Sequence, residues 1–477
     1  MKKYSCLAAD PSRAIRLFGG DAHKSKVRDA FQIDRDRILY SKAFRRLRGK
    51  TQVFIAGYDD HVRNRLSHTL EVCQIARTIS SALGLNDALT EAIALGHDLG
   101  HTPFGHVGER TLNNITMGTY AMYVDGDHYK PLQDGFKHNW QSVRVACNLE
   151  FHNRDYPGLN LTRETLWGFL HHSKLECSEG LPSFYTKAYE NLLSNEECWS
   201  FEGIVVNLAD EIAQRHHDIE DGLITGILEK KGLISYLDKM YKNVALKQTE
   251  ALRALLKKAD GEVYPEFYYA TLAHAIVDFY VSVVVEKTQK LFGKLVQKYK
   301  LKKDSFYKKK RDIWQQDIVS EKAFVRKMMS ESLHEIDDEL QKKYFMQRIL
   351  LSHQAQKNDG KAEYLIRRIV SAYLGNPQQM PDNAIMMFFV NCESRGDFKK
   401  LPEAMKTVFS SKDRADRIGQ WREKLDSQLK NGKGGYPKKL FNDSLLRTVI
   451  DYVAGMTDDY AIAIYEQLYG GTKHNRY

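Results

Sequence analysis

One stretch, residues 96–109, constrains the fold more than any other part of the chain. It reads GHDLGHTPFGHVGE and holds three histidines, an aspartate and a glutamate among glycines and one proline. An adjacent His-Asp pair at a helix end can offer one nitrogen and one oxygen to the same metal ion. The small residues around the pair let backbone and ligand approach closely. The stretch therefore predicts a metal-binding corner, to which the rest of the fold must bring further ligands.

The pattern around this stretch is typical of an all-α protein. Apolar residues recur at helical spacing through most of the chain, which has only 10 prolines among 477 residues. One strong helix is predicted over residues 66–83, and a second, over residues 86–96, leads directly to His97 and Asp98. Two antiparallel helices joined by so short a turn would bring His68 beside that pair. Taken alone, a histidine at this position is more often structural than a ligand.

A third helix supplies a further carboxylate. Residues 202–226 read EGIVVNLADEIAQRHHDIEDGLITG, an apolar helical run that contains Asp210. Burying an unpaired carboxylate is expensive, so Asp210 is either exposed or partnered by a metal ion, and we favour the metal. With His68, His97 and Asp98 it would form a mixed nitrogen and oxygen set that suits Mn²⁺ or Mg²⁺, with Fe²⁺, Co²⁺ or Zn²⁺ as alternatives. An ion that accepts six ligands would keep two positions for water and a substrate oxygen.

The opening stretch also holds three candidates for proton transfer, His101, His106 and Glu109. A carboxylate three residues after a histidine on a helix can orient the imidazole and keep it protonated, so we expect Glu109 to pair with His106. General acid catalysis on a leaving oxygen would need that species and contributes about 10²–10⁴-fold. A structural role is the alternative for each histidine. Residues 111–135 lose helical periodicity and carry three glycines, which predicts a loop over the site.

The charge of the chain favours an anionic ligand. Its formal net charge is +10, which suits a nucleotide, a nucleic acid or a membrane surface. Arg45, Arg46, Arg48 and Lys50 form either a solvated face or, beside a metal site, a phosphate-binding group, since guanidinium groups hold phosphate oxygens bidentately. The basic segment 286–311 interleaves lysines with aromatic residues. It is either a solvated helix face or a contact for single-stranded nucleic acid or an effector nucleotide.

Other features exclude some classes of protein. The six cysteines are scattered without a CxxC pair, which is typical of reduced thiols in a cytoplasmic protein and argues against a thiolate metal site. No run approaches the roughly 18 apolar residues of a membrane span, and the first residues lack the apolar core of a signal peptide. We therefore expect a cytoplasmic protein without a membrane partner. The expected organisation is an N-terminal arm (1–30), a catalytic core (31–225), a basic helical insertion (226–340) and a C-terminal helical region that completes the core and forms oligomer contacts (341–477).

Six motifs together resemble the HD phosphohydrolase superfamily and, more closely, its deoxynucleoside triphosphate triphosphohydrolases, the dGTPase family. In chain order they read DRDRILYSKAFRRLRGKTQVF, VRNRLSHTLEV, LGHDLGHTPFGHVGE, FKHNWQSVR, LADEIAQRHHDIEDG and YVAGMTDDYA. A bare H…HD…D pattern is only moderately specific, whereas the full set in this order is highly specific. The resemblance implies a helical HD fold from about residue 30 to near the C-terminus.

The resemblance also implies roles for individual residues. The metal ligands that it implies are His68, His97, Asp98 and Asp210. The proton-transfer residues that it implies are His106 with Glu109, joined by His101 and His138. The substrate-binding residues that it implies are Gln52 and Asp218 for the deoxyribose and Arg65 for the α-phosphate, to which the cationic pattern adds Arg45 and Arg46.

The implied reaction is metal-dependent hydrolysis of a dNTP, with dGTP favoured, to a deoxynucleoside and inorganic triphosphate. Water would attack the α-phosphorus, and the 5′-oxygen would leave with a proton from His106. The family forms oligomers, commonly tetramers or hexamers, often with dNTP effector sites, so both are expected here. One departure concerns the sugar: four residues after Asp210 the family usually has a tyrosine, and this chain has Gln214. This chain therefore lacks the tyrosine contact that would help to exclude ribonucleotides.

Two alternatives stay open from the sequence. The first is an HD phosphohydrolase that acts on a nucleoside monophosphate or a cyclic nucleotide. The second is a nucleotide or single-stranded nucleic-acid sensor with residual activity, which would use the basic segment 286–311.

Overall fold

The computed structural model describes residues 4–18, 25–52, 63–124, 127–129, 132, 135–151, 153, 156–172, 198–242, 244, 246–302, 305–319, 324–395, 400–410, 413–431 and 435–470. The α-helices of these residues are α1 (Ala30–Tyr40), α2 (Lys42–Arg46), α3 (Arg65–Leu83), α4 (Asp87–Gly96), α5 (Gly105–Met117), α6 (His138–Arg144), α7 (Arg163–His171), α8 (Phe201–Ile224), α9 (Lys230–Tyr241), α10 (Gln248–Gly261), α11 (Pro265–Tyr299), α12 (Phe306–Ile313), α13 (Phe324–Met329), α14 (Glu331–Glu339), α15 (His353–Gly375), α16 (Asp382–Ser394), α17 (Leu401–Val408), α18 (Arg414–Asn431), α19 (Lys438–Ala454) and α20 (Asp458–Tyr469).

Short segments of other structure complete this list. Turns of 3-10 helix lie at Ser5–Leu7, Pro11–Arg13, Leu47–Gly49 and Pro377–Gln379, and π-helical segments at Val145–Leu149, Trp314–Val319 and Leu340–Leu350. Two strands, β1 (Met122–Val124) and β2 (Asp127–Tyr129), form an antiparallel hairpin. The hairpin is the whole of the sheet in the described residues, so the expected all-α fold is confirmed.

Three helices carry the corner at which the site forms. The side chain of Asn64 accepts a hydrogen bond from the backbone nitrogen of Ser67 and so caps α3, which ends at Gly84 with a left-handed φ of 78°. Asn86 caps α4 after a short turn, and α4 packs against α3. Helix α8 packs against both of them. The three helices therefore pack together at the corner where the site forms.

The turn after α4 lies against α6 with no room for a side chain. A Cβ atom added to Gly100 would lie 2.1 Å from the backbone nitrogen of Ser142. The hydroxyl of Ser142 stabilises this close contact. It accepts a hydrogen bond from the Gly100 nitrogen at 2.9 Å and donates one to the His97 carbonyl at 2.7 Å. Glycine at position 100 thus allows α6, which begins with His138, to pack beside the His-Asp pair.

The longest helix among the described residues is α11, with 35 residues. Its length and composition would allow it to cross a membrane, and the buried helices of soluble proteins meet the same criterion. Here α11 packs against α3, α8, α10 and α13. The residues at its start are apolar and exposed, with Val263 80% and Phe267 63% accessible to solvent.

Segments from the first and last parts of the described chain pack near the site. Leu7 is fully buried, and the backbone nitrogen of Ala9 donates to the buried Glu202 carboxylate at 2.9 Å. Further along, α15 and α19 pack against α5. Arg144 of α6 donates to both carboxylate oxygens of Asp451 in α19, with distances of 2.7–2.9 Å. Residues 7–9 and α19 are therefore both held against the helices that carry the site.

The structure corrects one boundary. Residues 111–117, predicted to belong to a loop, continue the helix α5 to Met117. Leu112 and Ile115 are buried at helical spacing, and Gly118 ends the helix with a φ of 81°. The polar residues between them hid this period in the sequence, because they lie on the solvent side of the same helix.

Candidate active site and metal centre

The four proposed metal ligands lie close together, with His68, His97 and Asp98 buried and Asp210 partly exposed. His68 lies in the first turn of α3, His97 and Asp98 follow the end of α4, and Asp210 lies in the middle of α8. The Nε2 atom of His68 is 3.0 Å from Oδ1 of Asp210 and 3.9 Å from Oδ2 of Asp98. The Nε2 atom of His97 is 3.6 Å from Oδ1 of Asp98 and 3.9 Å from Oδ1 of Asp210.

The chemistry of these side chains fits a divalent cation. The Nδ1 atom of His97 is 2.7 Å from the Ala94 carbonyl, so it carries the proton and leaves the lone pair on Nε2. That Nε2 atom is buried and has no hydrogen-bond partner among the described residues. Although burial favours their neutral forms, the neighbouring His97 and Arg65 hold the pKa of Asp98 well below its ordinary value, and a hydrogen bond with His68 together with the neighbouring His97 lowers the pKa of Asp210. A cation would complete this set of ionised carboxylates and free nitrogen lone pairs.

A second group of histidines adjoins the metal ligands. The rings of His101 and His138 stack with centroids 4.3 Å apart, and His106 lies 5.4 Å from His101. The Nε2 atoms of His138 and His172 are 3.2 Å apart, and the His172 ring lies 5.0 Å from that of His97. The four proton-transfer candidates and the metal ligands therefore form one continuous polar cluster.

Glu109 contacts His138 in addition to lying near His106. Its Oε2 atom accepts hydrogen bonds from the His138 ring and, at 3.2 Å, from the His138 backbone nitrogen, and one of its oxygens lies within 4.8 Å of a His106 ring nitrogen. Burial opposes a charged imidazole, but the Glu109 carboxylate outweighs it and raises the pKa of His138. Glu109 is close to the first turn of α6 because the turn around Gly100 brings that helix against the site.

Two further histidines of the cluster have lowered pKa values. Desolvation by the surrounding protein, together with the charges of Arg65 and His138, lowers the pKa of His106 to about 4. The same causes hold the pKa of His101 well below its ordinary value. Glu109 acts to raise the pKa of His106, but these opposing effects outweigh it.

Arg65 connects the metal site to a candidate anion site. Its Nη1 atom donates to Oδ2 of Asp98 at 2.6 Å. Its Nε and Nη2 atoms are buried and lack a hydrogen-bond partner within the described part of the chain. A buried guanidinium with unused donors beside ionised metal ligands has the chemistry to bind a phosphate oxygen.

The remaining substrate candidates are placed differently. The side-chain amide oxygen of Gln52 is buried and has no hydrogen-bond partner in the residues described. Asp218 is buried on α8, and burial raises its pKa to about 7. Arg45 is exposed, and Arg46 forms an ion pair with Glu150 at 3.6 Å. Glu150 also caps α2 by accepting from two backbone nitrogens, so Arg46 already has a structural partner.

Lys50 departs from the expected phosphate-binding group. It is fully buried, and its ammonium donates to the carbonyl oxygens of His101 and, at 2.9 Å, Ala454. Burial and the charge of Arg46 hold its pKa well below the ordinary value. Lys50 therefore supports the backbone of the site and does not face a ligand-binding opening.

Asp458, which is not predicted from the sequence as a site residue, fixes the start of α5. Oδ1 of the buried Asp458 accepts a hydrogen bond from the Phe104 backbone nitrogen at 2.8 Å, and its other oxygen accepts from the nitrogen and hydroxyl of Thr51. Phe104 has a φ of 59°, which is unfavourable for a bulky side chain. His172 is likewise not predicted from the sequence. The adjacent pair His171-His172 at the end of the apolar helix α7 is the pattern that could have indicated it.

Comparisons with known proteins identify two family matches and several relatives. The HD domain family matches residues 65–215, and the phosphohydrolase-associated domain family matches residues 423–467. A deoxyguanosinetriphosphate triphosphohydrolase-like protein of Leptospira interrogans is 31% identical over 453 residues, which is 95% of this chain and 92% of the relative. Proteins with the same description are 48% identical over 208 residues in Clostridium perfringens (44% of this chain, 51% of the relative) and 43% identical over 268 residues in Caldanaerobacter subterraneus (55% and 68%).

HD domains bind divalent metals, and the buried His and Asp side chains described above form a candidate group for one. The long match to the Leptospira protein covers the HD domain and the C-terminal helices together. The chain belongs to the HD-domain deoxyguanosinetriphosphate triphosphohydrolase-like family, whose members are phosphohydrolases of nucleotides.

Proposed function

We propose that this protein hydrolyses a dNTP, with dGTP favoured, to a deoxynucleoside and inorganic triphosphate. The observation that carries the proposal is the position of Arg65. One end of its guanidinium group bonds to Asp98 at 2.6 Å, and its other donors are buried and without partners among the described residues. An anion-binding group is therefore built directly onto the proposed metal site, as a phosphohydrolase requires.

The metal site would be formed by His68, His97, Asp98 and Asp210, with Mn²⁺ or Mg²⁺ favoured. A bound divalent ion supplies polarisation of a phosphoryl oxygen and a lowered pKa for water. Arg65 would bind an oxygen of the α-phosphate and hold it in line for attack by water. The bond between the α-phosphorus and the 5′-oxygen breaks, and the 5′-oxygen must receive a proton.

That proton would come from the group formed by Glu109, His138, His101 and His106. The Glu109 carboxylate raises the pKa of His138, and His106 is the most exposed histidine of this group. A bound triphosphate would bring negative charge to His106 and raise its pKa. We propose that His106 then delivers the proton to the leaving oxygen. His101, which stacks on His138, would lie between His106 and His138.

The sugar would contact Gln52 and Asp218. A buried amide oxygen and a buried carboxyl with a pKa near 7 can each hydrogen-bond a deoxyribose hydroxyl. Gln214, one turn after Asp210 on α8, is the residue that would decide how strictly ribonucleotides are excluded. Arg45 and Arg46 remain candidate contacts for the outer phosphates.

The organisation of the protein follows from the same proposal. Residues 31–225 would supply the chemistry, 226–340 an insertion, and 341–477 the elements that complete the core and form an oligomer, with residues 1–30 as an arm. We propose a cytoplasmic homo-oligomer, a tetramer or hexamer, in which a dNTP effector or single-stranded nucleic acid could bind elsewhere on the surface.

One product assay tests the proposal. Each of the four dNTPs is supplied singly and in pairs with Mn²⁺ or Mg²⁺, and the products are separated by ion-exchange chromatography. We expect tripolyphosphate and deoxynucleoside, and no turnover by His97→Ala or Asp210→Ala. Activity only in mixtures would indicate an effector site. Release of pyrophosphate or orthophosphate from the dNTP, or turnover restricted to nucleoside monophosphates or cyclic nucleotides, would contradict the proposal.

A further inference from the structure

A second histidine lies directly behind the proposed metal ligand His68. The Nδ1 atom of His68 is 3.2 Å from the Nδ1 atom of His217, which lies on α8 and is fully buried. The other ring nitrogen of His217, Nε2, is 2.6 Å from Oε2 of Glu71 on α3. The three side chains therefore form a chain of hydrogen bonds that begins on the side of His68 opposite to the metal site.

The direction of these hydrogen bonds is fixed at the Glu71 end. Glu71 also accepts a hydrogen bond from Nε of Arg63 at 2.9 Å and contacts Nδ1 of His216 at 3.2 Å. A carboxylate surrounded by donors acts as an acceptor, so Nε2 of His217 carries the proton on that side. A neutral imidazole has one protonated nitrogen, and Nδ1 of His217 is therefore an acceptor.

The same reasoning fixes the proton of His68. Two ring nitrogens 3.2 Å apart share a hydrogen bond only when one of them bears the proton, and Nδ1 of His217 does not. Nδ1 of His68 is therefore the donor in this contact. Nε2, which contacts Oδ1 of Asp210 at 3.0 Å in this structure, is the nitrogen left to bind a cation. His97 obtains the same tautomer more simply, from the Ala94 carbonyl.

We infer that His217 is a positioning residue of the metal site: oriented by Glu71, it holds His68 in the tautomer and ring orientation that a cation needs. Groups that orient a metal-bound histidine in this way typically change metal affinity by about 10–100-fold when removed. The inference rests on the metal site in the proposed function, and it adds to that site two residues, His217 and Glu71, that do not touch the metal.

The neighbouring His216 offers a matched control. Its described contacts go to Glu71 and, from its other nitrogen at 3.1 Å, to Glu220, and none of them reaches His68. A variant of His216 therefore removes an imidazole from the same helix and the same carboxylate without changing the partner of His68.

The test measures Mn²⁺ binding to the full-length, chelator-treated protein by isothermal titration calorimetry, with thermal unfolding in the absence of metal recorded for each variant. We expect His217→Leu to weaken Mn²⁺ affinity about 10–100-fold, and His216→Leu to leave it within about twofold. His217→Gln should restore most of the affinity, because its amide oxygen can accept from His68 while its NH₂ group donates to Glu71.

The outcomes separate this inference from the proposed function. Equal Mn²⁺ affinity for the wild type and His217→Leu would overturn the positioning role and leave the metal site standing. Equal losses in His217→Leu and His217→Gln, or an equal loss in His216→Leu, would also overturn it, since each would show an effect of packing alone. A wild-type protein that binds no Mn²⁺ would remove the metal site itself, whatever the variants do.

Discussion

The carboxylate of Glu109 accepts hydrogen bonds from both the backbone nitrogen and the ring of His138, a residue 29 positions later in the chain. One side chain thus fixes the first turn of α6 and raises the pKa of the His138 imidazole. Burial acts against the ionised carboxylate, but the charge and hydrogen bond of His138 lower the pKa of Glu109 to about 2. Each member of the pair therefore favours the charged form of the other.

Removal of this charge should move the pH profile of turnover. The Glu109 carboxylate raises the pKa of His138 and also acts to raise that of His106, so Glu109→Gln lowers both. The protonated form is then lost at lower pH, and the alkaline limb of kcat should shift to lower pH, with a fall in kcat of about 10²-fold or more. The measurement is kcat against pH at saturating dNTP. Glu91→Gln, on the partly exposed end of another ion pair, should keep the wild-type profile, and an unshifted limb in Glu109→Gln would contradict the prediction.

Loss of a metal ligand should abolish both turnover and stabilisation by metal. An ion that binds only the folded protein stabilises it by about 2.7 kcal/mol at a concentration 100 times its Kd. We expect Mn²⁺ to raise the Tm of the wild type and not that of Asp210→Ala, as followed by differential scanning fluorimetry. Asp278→Ala, at an exposed position of α11, should respond like the wild type. A metal-dependent rise in Asp210→Ala would exclude Asp210 as a ligand.

Arg65 should act chiefly on the substrate. A lysine at this position cannot both bond to Asp98 and present further donors to a phosphate. We expect Arg65→Lys to lower kcat/KM about 10–100-fold, which corresponds to the roughly 1.5–3 kcal/mol of a hydrogen bond to a charged group. Steady-state kinetics with the preferred dNTP provide the measurement. Arg77→Lys, on the same helix with a half-exposed side chain, is the control, and equal kinetics for the two variants would argue against phosphate binding by Arg65.

Asp458 should affect turnover without affecting metal binding. Its carboxylate holds the Phe104 nitrogen and Thr51, whereas the metal ligands lie on other helices. In Asp458→Asn the amide places a donor against a donor of Thr51, which costs about 1–3 kcal/mol of stability and loosens the start of α5. We expect a lower kcat with an unchanged Mn²⁺ Kd. Asp459→Asn, at the exposed neighbouring position, should change neither, and a parallel loss of metal affinity in Asp458→Asn would point to general unfolding.

The close approach at Gly100 gives a prediction about stability. A methyl group there would meet the backbone of Ser142 at 2.1 Å and the His138 carbonyl at 2.4 Å. Gly100→Ala should therefore lower the free energy of unfolding by about 1–3 kcal/mol or more, as measured by urea denaturation. Gly360→Ala is the opposite case, because no atom lies within 4 Å of the added Cβ. In that helix alanine should stabilise the protein by about 0.5–1 kcal/mol, and a similar loss in both variants would contradict the packing argument.

The sequence predicts those parts of the site whose partners are local. The pattern over residues 66–83 and the glycine at position 84 give α3, and a short turn to α4 leads to the expectation that His68 lies near His97. Periodicity also indicates that α8 is buried. Each of these inferences uses spacing within one or two helices, where the 3.6-residue period decides which side chains share a face.

Contacts between distant segments could not be predicted in the same way. Glu109 has a histidine three residues before it, yet its partner is on another helix, because the packing at Gly100 brings α6 closer than the α5 period suggests. Lys50 resembles its neighbouring arginines in the sequence, but it is buried against two carbonyl oxygens. Which charged residue turns inward depends on tertiary packing, and a single sequence carries little information about that.

The bond between Asp458 and Phe104 spans 354 positions, and this has a consequence during protein synthesis. A nascent chain that has passed residue 226 already contains every proposed metal ligand and every proton-transfer histidine. It still lacks α19 and α20, which hold α6 and the entrance to α5. Since the N-terminal part of a chain folds first during synthesis, the contacts that fix α6 and the start of α5 can form only after α19 and α20 have been translated.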